Sequence, residues 1–450
     1  MAKFVSIKMK KKTIILGAGI SGLSAAHFLS KKSDDFIILE ESNKVGGWIN
    51  SEIIDGYTCE NGPNTVLLNN TAFLELLKDL NLDKEICNPQ ESAADNRYVL
   101  HQNKLQKIPT NLWEFFVSPL LKLSDKLILL SEPFVKKHKT NTSVASFCIN
   151  RFGVGLYEQL IIPFVTGIYA GNPEKMSVKH ALKSLWEMEQ KYGSVFKGFL
   201  KKQKLQQKND LPKVKMFTLK KGLSQLTDSI GENLEKKLFL NTRVIKIEKV
   251  NSVFTIHTNN GVFECEQIIC TLPANVTSKL IMDNSLVEKL QDLEYVPVDV
   301  FHFGFNKNQI KNQFEGFGLL TKKTDEKHFL GMLFNSQIFP HTAPKEKELF
   351  TLIVGGSRQA KLCQMQPNEL QKILLKEVSE ILSVKGNPNF IKHERYKKAI
   401  PQYGLDHQEL VEDVKKYQVA HTGFYFLSNY IDGVSVSDRV LKSYKLINNF

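Results

Sequence analysis

The chain is most easily bounded by what it lacks. It has no Cys-x-x-Cys pair, no zinc-ligand spacing, no internal repeat and no low-complexity tract. Its six cysteines (Cys59, Cys87, Cys148, Cys265, Cys270 and Cys363) are scattered, which predicts reduced, buried thiols of a cytosolic type and no metal site. Met1 to Lys12 is basic but has neither an apolar core nor a small-residue cleavage site, so it reads as a short extension before the first strand and not as a secretory signal. No nucleic-acid motif is present and the basic residues are dispersed, which excludes a nucleic-acid partner. The richest apolar segment, Leu112 to Val135, is interrupted by Glu114, Pro119, Lys122, Asp125, Lys126 and Glu132, and no stretch reads as a transmembrane span.

What is present is a globular composition, with 42% hydrophobic and 24% charged residues over 450 positions, enough for two or three lobes. Its 29 phenylalanines suit the lining of a flat apolar ligand. The formal charge of +13 has three readings: a lysine-rich composition, attraction to an anionic substrate, or attraction to an anionic membrane surface. Leu120, Leu123, Leu127 and Leu130 recur at helical spacing. They predict an amphipathic helix that packs on its own domain or lies on a membrane surface.

The strongest local signal is Gly17-Ala18-Gly19-Ile20-Ser21-Gly22, directly behind the apolar run Thr13 to Leu16. In a strand–turn–helix unit the first glycine permits the tight turn, the second admits a pyrophosphate, and the third lets helix and strand pack closely. A second apolar run, Phe36 to Leu39, ends at Glu40, where a carboxylate can accept bonds from a ribose. The Gly46-Gly47-Trp48 loop that follows is a flavoprotein addition absent from simple NAD dehydrogenases, so the expected cofactor is non-covalent FAD.

Farther along, residues 86–205 read as helical and are punctuated by prolines, ending in the basic run Lys197 to Lys208. Alternating runs return at Arg243 to Glu248 and Phe254 to His257, joined to a third strand by the hairpin signal Asn259-Asn260-Gly261. Val298 to Phe305 and Leu349 to Val354 suggest a mostly antiparallel sheet. The expected fold class is α/β, with α+β character in the substrate lobe. A Rossmann-like FAD domain is assembled from residues 1–85, 206–285 and 401–450. A helical lobe (86–205) and a substrate-domain sheet (286–400) interrupt it.

Several motifs together give a sharper identification: GAGISGL from Gly17, Gly46 to Ser51, Glu60 to Thr65, Gly167-Ile168-Tyr169-Ala170-Gly171-Asn172-Pro173, Gly316 to Leu320, and Asn429 to Val436. Together they span nearly the whole chain. In these motifs the sequence resembles the oxygen-dependent, FAD-containing protoporphyrinogen oxidases, within the amine-oxidase-like flavoproteins. The resemblance implies that Gly17, Ala18, Gly19, Ile20, Ser21 and Gly22 wrap the pyrophosphate and that Glu40 and Glu41 hold the adenosine ribose region. It places Val244 at the adenine. Gly46 and Gly47 would bind the cofactor, Trp48 and the turn Gly62-Pro63-Asn64-Thr65 would lie beside the isoalloxazine, and Ser428, Val434, Ser435 and Val436 would meet the flavin. Asn64 stands where the family carries a larger or acidic residue. The expected helix start just after Val436 would direct a positive dipole end at the ring.

On the substrate side, the resemblance implies Arg97 as a propionate partner, Phe317 and Leu320 as a ring clamp, and Gly167 as a backbone contact to the pyrroles. No catalytic acid or base stands out, which fits a flavin that carries the chemistry. The implied activity is six-electron oxidation of protoporphyrinogen IX to protoporphyrin IX by molecular oxygen with release of hydrogen peroxide, in haem synthesis. Coproporphyrinogen III, with four propionates, is the alternative substrate. An amine oxidase, a carotenoid desaturase and a non-catalytic escort-type protein are weaker rivals. Implied partners are the porphyrinogen, oxygen, a haem-pathway enzyme, a second copy in a homodimer, and the inner face of the cytoplasmic membrane for a protein of the cytoplasm.

Overall fold

The run Thr13 to Leu16 closes a strand, Ile7–Leu16, and Ile14, Ile15 and Leu16 are buried, on both faces of the sheet. Ile15 points into one core while Ile14 and Leu16 point into another, as the twofold side-chain period of a strand requires. This strand is the centre of a parallel array in the order Leu238–Phe239, Phe36–Leu39, Ile7–Leu16, Gly261–Cys270. The last of these is shared lengthwise. Its first half pairs antiparallel with Val253–Thr258 through the predicted Asn259-Asn260-Gly261 turn, and its second half pairs parallel with Phe424–Phe426. One sheet is thus assembled from three separated chain segments. The computed structural model describes residues 7–101, 104–208, 215–312 and 314–450, so Met1 to Ser6 of the basic extension lie outside the described residues.

A second seven-stranded sheet has the order Phe390–Pro401, Tyr295–Asn306, Lys347–Gly355, Gly331–Phe334, Gly318–Leu320, Arg97–His101, Lys104–Lys107. It is antiparallel except where Gly318–Leu320 runs parallel to Arg97–His101. Phe301, Phe303 and Phe305 pack on its outer face against Leu370, Leu374 and Val378 of the helix Pro367–Leu382. Val296, Val298 and Val300 form the inner face with Ala170.

Residues 86–205 are therefore not helical throughout. The hairpin Arg97–His101/Lys104–Lys107 extends the substrate sheet, and Arg97 opens a strand rather than a helical lobe. The leucine segment also departs from a single amphipathic helix. It forms two short helices, Leu112–Val117 and Leu123–Leu130, broken around Pro119. Leu120 is buried between them, yet Leu123, Leu127 and Leu130 are exposed and Lys126 is the buried residue of the second helix. Its ammonium donates to the carbonyls of Phe116 at 2.6 Å and Ser118 at 3.0 Å, closing the first helix's end from inside.

The lobe proper follows, Val144–Leu156 continuing through Tyr157–Ile161 into Ile162–Tyr169. By length and composition Val144–Tyr169 could cross a membrane, which the sequence reading missed. Gly153 breaks it (φ 82°, ψ 163°), and Val144, Phe147, Cys148 and Val165 are buried in the lobe's own core.

Candidate functional site

The three glycines behind the first strand differ in what surrounds them. A Cβ on Gly22 would collide with the Gly17 carbonyl, and one on Gly17 (φ +98°) would lie 2.7 Å from Thr271 Oγ1. Both are required by the chain's own packing. A Cβ on Gly19 would meet nothing within 4 Å, and its φ of −74° suits any residue. The open space over Gly19 is therefore not explained by the protein, and it fits a bound pyrophosphate that must approach the backbone. The helix Ile20–Ser30 begins at Gly19 with no side-chain cap, and Val436–Asn448, whose N-cap is Ser435, also lacks one. The two helices pack together, Ser443 Oγ donating to the Ser21 carbonyl at 3.0 Å. Two uncapped N-termini offer unpaired N–H groups to an anion. The second helix starts at Val436 itself, one residue earlier than the sequence suggests.

Glu40 follows the second strand, and its carboxylate accepts from the Ala18 amide at 2.7 Å and from Ser42 N and Oγ at 2.9 and 2.6 Å. Thr242 N donates to the Glu40 carbonyl at 2.7 Å, which brings Val244 to the same end of the sheet. Glu41 is exposed and faces Arg243 at 3.5 Å. Gly46 N donates to the Ala18 carbonyl at 2.9 Å, and a Cβ on Gly47 would lie 3.3 Å from Gly19 Cα. The glycine-pair loop is thus laid against the first glycine loop. FAD fits this set: Gly17 to Gly22 with Gly46 and Gly47 would take the pyrophosphate, and Glu40 with Val244 the adenosine.

At the other end, a Cβ on Gly62 would collide with the Trp48 carbonyl, so the turn Gly62 to Thr65 lies on the Trp48 loop. Trp48 is itself edge-on to Tyr396 of the substrate sheet, with centroids 5.1 Å apart. Asn64 accepts at Oδ1 from Asn335 Nδ2 at 3.0 Å, at the start of the short helix that follows the strand Gly331–Phe334, a contact the sequence did not reveal. The buried Asn61 Oδ1 and Asn335 Oδ1 have no partner among the described residues, two acceptors left for a polar ligand beside this turn. Ser428 Oγ donates to the Leu272 carbonyl at 3.0 Å, and the Ser428 carbonyl accepts from Arg439 at 2.8 Å. Ser428 and Val434 to Val436 thereby return the C-terminal segment to the seam of the two sheets.

Glu60 ties this end together, accepting from Ser51 Oγ at 2.6 Å and Leu223 N at 2.8 Å. Burial pushes its carboxyl up to about 7, against the lowering effect of both donors. A carboxyl raised on folding stabilises the fold below its unfolded pKa, and that contribution is lost as pH rises through about 7. The expected result is that Glu60→Gln flattens the decline in melting temperature between pH 5 and 8; a parallel decline in variant and wild type would remove Glu60 as its source.

The residues expected on the substrate side come together through register. Arg97 pairs with Gly318 and Val99 with Leu320. The Arg97 guanidinium lies over the Phe317 ring, 5.1 Å from its centroid. A Cβ on Gly167 would meet Leu320 Cδ2 at 2.7 Å, so helix Ile162–Tyr169 sits on the clamp strand. Arg97 and Leu320 therefore lie on one face of the sheet, with Phe317 against Arg97 and Gly167 over Leu320. The register adds residues that no motif indicated. Val99, Leu320, Gly331, Ile353 and Val300 form one transverse apolar row, and the neighbouring row holds Thr351 and the fully buried His302. Alternation marked the strands but could not place them side by side.

The profile of the family described as flavin containing amine oxidoreductase matches residues 20–438. Among curated relatives, the protoporphyrinogen oxidase 2, chloroplastic/mitochondrial, of Arabidopsis thaliana is 28% identical across 97% of this chain and 92% of its own. The coproporphyrinogen III oxidase of Bacillus subtilis (strain 168) is 26% identical across 96% of each. Among solved structures, a provisionally named protoporphyrinogen oxidase of Exiguobacterium sp. 255-15 superposes over 98% of each chain with a TM-score of 0.82 at 23% identity. A reduced UDP-galactopyranose mutase does so over 98% of this chain and 95% of its own, at 0.73 and 16%. At these identities the structures share the fold.

Proposed function

This chain belongs to the flavin-containing amine oxidoreductase family and is an FAD-dependent oxidoreductase, and from that premise we propose that it oxidises a propionate-bearing porphyrinogen to the porphyrin for haem synthesis. The observation that carries this reading is the convergence of Arg97, Phe317, Leu320 and Gly167: a cation beside an apolar clamp facing a helix backbone. Relatives named for protoporphyrinogen and for coproporphyrinogen III support the substrate class. When bound, FAD supplies the hydride acceptor, with molecular oxygen as the final oxidant and hydrogen peroxide as its product. The chain's own residues orient and enclose. Leu320 and its apolar row bear on the ring face, Gly167 brings backbone close, and Arg97 forks onto a carboxylate at the rim.

The test is aerobic turnover of protoporphyrinogen IX and coproporphyrinogen III, followed by porphyrin fluorescence after bound flavin is confirmed by absorbance. Oxidation of neither by the flavin-loaded protein overturns the reading. Replacing Arg97 by alanine removes a charge-assisted bond of about 1.5–3 kcal/mol. KM should rise roughly tenfold or more with kcat little altered, and an unchanged KM would take Arg97 out of the site.

A peripheral membrane contact is part of the same reading. Trp113 is 76% and Phe134 86% exposed, with Phe116, Val117, Leu123, Leu127 and Leu130 exposed on the same segment. Lys136, Lys137 and Lys139 follow it directly. Exposed aromatics and leucines next to lysines suit an anionic bilayer surface. The protein should float with phosphatidylglycerol vesicles at low salt, and Trp113→Asp with Phe134→Asp should abolish this. Wild-type protein that stays at the bottom of the gradient would sink the membrane reading.

A further inference from the structure

The basic run Lys197 to Lys208 lies outside the flavin and porphyrinogen contacts. It falls in the helix Val195–Lys208, which carries five lysines and no acidic residue. The start of this helix is fixed from inside the lobe. The buried Glu132 carboxylate accepts from Val195 N at 2.8 Å, from Phe196 N at 3.4 Å and from Ser194 Oγ. Ser194 Oγ in turn accepts from Lys197 N at 3.1 Å. The roll of the helix about its axis is fixed as well. A Cβ on Gly198 would lie 2.6 Å from Met188 Cβ, so Gly198 faces the helix Lys183–Tyr192, and Val195, three residues earlier, is buried in the lobe's core.

With that side inside, Phe196, Phe199 and Leu200 come to the surface as an i, i+3, i+4 stripe, 37%, 59% and 57% exposed. By the same periodicity Lys197 and Lys204 border one side of the stripe and Lys202 the other. Among the described residues no carboxylate pairs with Lys197, Lys201, Lys202 or Lys204. Lys197 Nζ donates to the Pro133 carbonyl at 3.3 Å, and Lys201 lies over the Tyr192 ring. The bond to Pro133 also sets the helix start beside the exposed Phe134, which Lys136, Lys137 and Lys139 follow.

A helix that serves only its own domain buries its apolar side and shows its charges. This one shows an apolar stripe and charge of a single sign, as a helix lying in the headgroup layer of an anionic bilayer does. Continuity with the exposed aromatics of residues 113–134 favours a lipid surface over a groove on an acidic protein, because one surface then covers both patches.

We propose that the helix Val195–Lys208 is a second membrane anchor. It lies along an anionic phospholipid surface with Phe196, Phe199 and Leu200 toward the acyl chains and its lysines at the phosphates, and it gives the contact its selectivity for anionic lipid. This inference rests on the peripheral membrane contact described for residues 113–139.

The experiment floats the full-length, FAD-loaded protein at low salt with vesicles of phosphatidylcholine alone or mixed with phosphatidylglycerol. Two variants change only exposed side chains: Phe199→Ser with Leu200→Ser, and Lys201→Gln with Lys202→Gln and Lys204→Gln. Both should keep their flavin and the wild-type melting temperature. Wild type should favour the mixed vesicles. The lysine variant should lose that preference and bind them roughly tenfold or more weakly. The serine variant should lose binding by a similar factor. Should wild type and both variants float equally well with the mixed vesicles, the second anchor is overturned and the contact through Trp113 and Phe134 stands. Equal flotation of wild type with both kinds of vesicle overturns it too, because no selection by charge is then at work. Wild type that floats with neither overturns the membrane reading itself, and the anchor with it.

Discussion

Gly19→Val yields a folded protein without flavin. Gly19 already has the extended backbone that valine favours (φ −74°, ψ 176°), and its Cβ would meet no protein atom within 4 Å. Exchanging glycine for valine at a helix N-cap costs about 1 kcal/mol. The new methyl groups stand where a pyrophosphate must approach the backbone, so FAD affinity should fall at least a hundredfold, about 2.7 kcal/mol or more. Purified Gly19→Val should be colourless and melt within a few degrees of flavin-stripped wild type. Gly22→Val is the contrast: its side chain collides with the Gly17 carbonyl, so it should be lost to misfolding. A yellow Gly19→Val with wild-type affinity would remove the glycine loop from the cofactor site.

Arg151→Met should cost about 3–5 kcal/mol, a large share of a typical fold's stability. Arg151 is completely buried in the helical lobe. It donates to Glu132 Oε1 at 3.0 Å and to Glu189 Oε1 at 2.7–2.8 Å. Glu132 also accepts from Ser194 Oγ at 2.5 Å and Val195 N at 2.8 Å, holding the start of helix Val195–Lys208, and Glu189 faces His138 Nδ1 at 2.8 Å. Methionine fills the volume but leaves two buried carboxylates without their shared cation. The measurement is urea unfolding followed by the fluorescence of Trp186, which packs near Phe147 in this lobe. Adding Glu132→Leu and Glu189→Leu should recover part of the loss, since an apolar core of like volume tolerates what a half-paired ionic one does not. Recovery stays partial because Glu132 also holds amides at the helix start. A midpoint for Arg151→Met close to wild type would show that the triad does not hold the lobe.

The sequence by itself determined whatever depends on neighbours along the chain. Gly17 and Gly22 are spaced for one turn and one helix–strand contact, and the structure shows both. Asn259-Asn260-Gly261 joins the strands it should. The middle segment's strands were legible in their own apolar runs, whereas the strand Phe424–Phe426 that completes the first sheet was not marked in the sequence. Family membership was legible for the same reason: its motifs are local.

Only the tertiary structure decided what depends on partners distant in the chain. Tyr98 donates its hydroxyl to the Glu315 carbonyl, 217 residues on, and that seam is what sets Arg97 beside Phe317. A strand's alternation gives two faces but not its neighbour, so the row through Leu320 and Ile353 existed nowhere in the sequence. Helical spacing gathered Leu123, Leu127 and Leu130 onto one stripe without telling which way it turns. It turns outward, and the side of the helix that faces inward carries Lys126, whose ammonium meets two carbonyls there. The charge of Arg151 was plain from the start, but its meaning waited on Glu132 and Glu189. Electrostatic balance is a property of what burial brings together, and burial is settled only when the whole chain has folded.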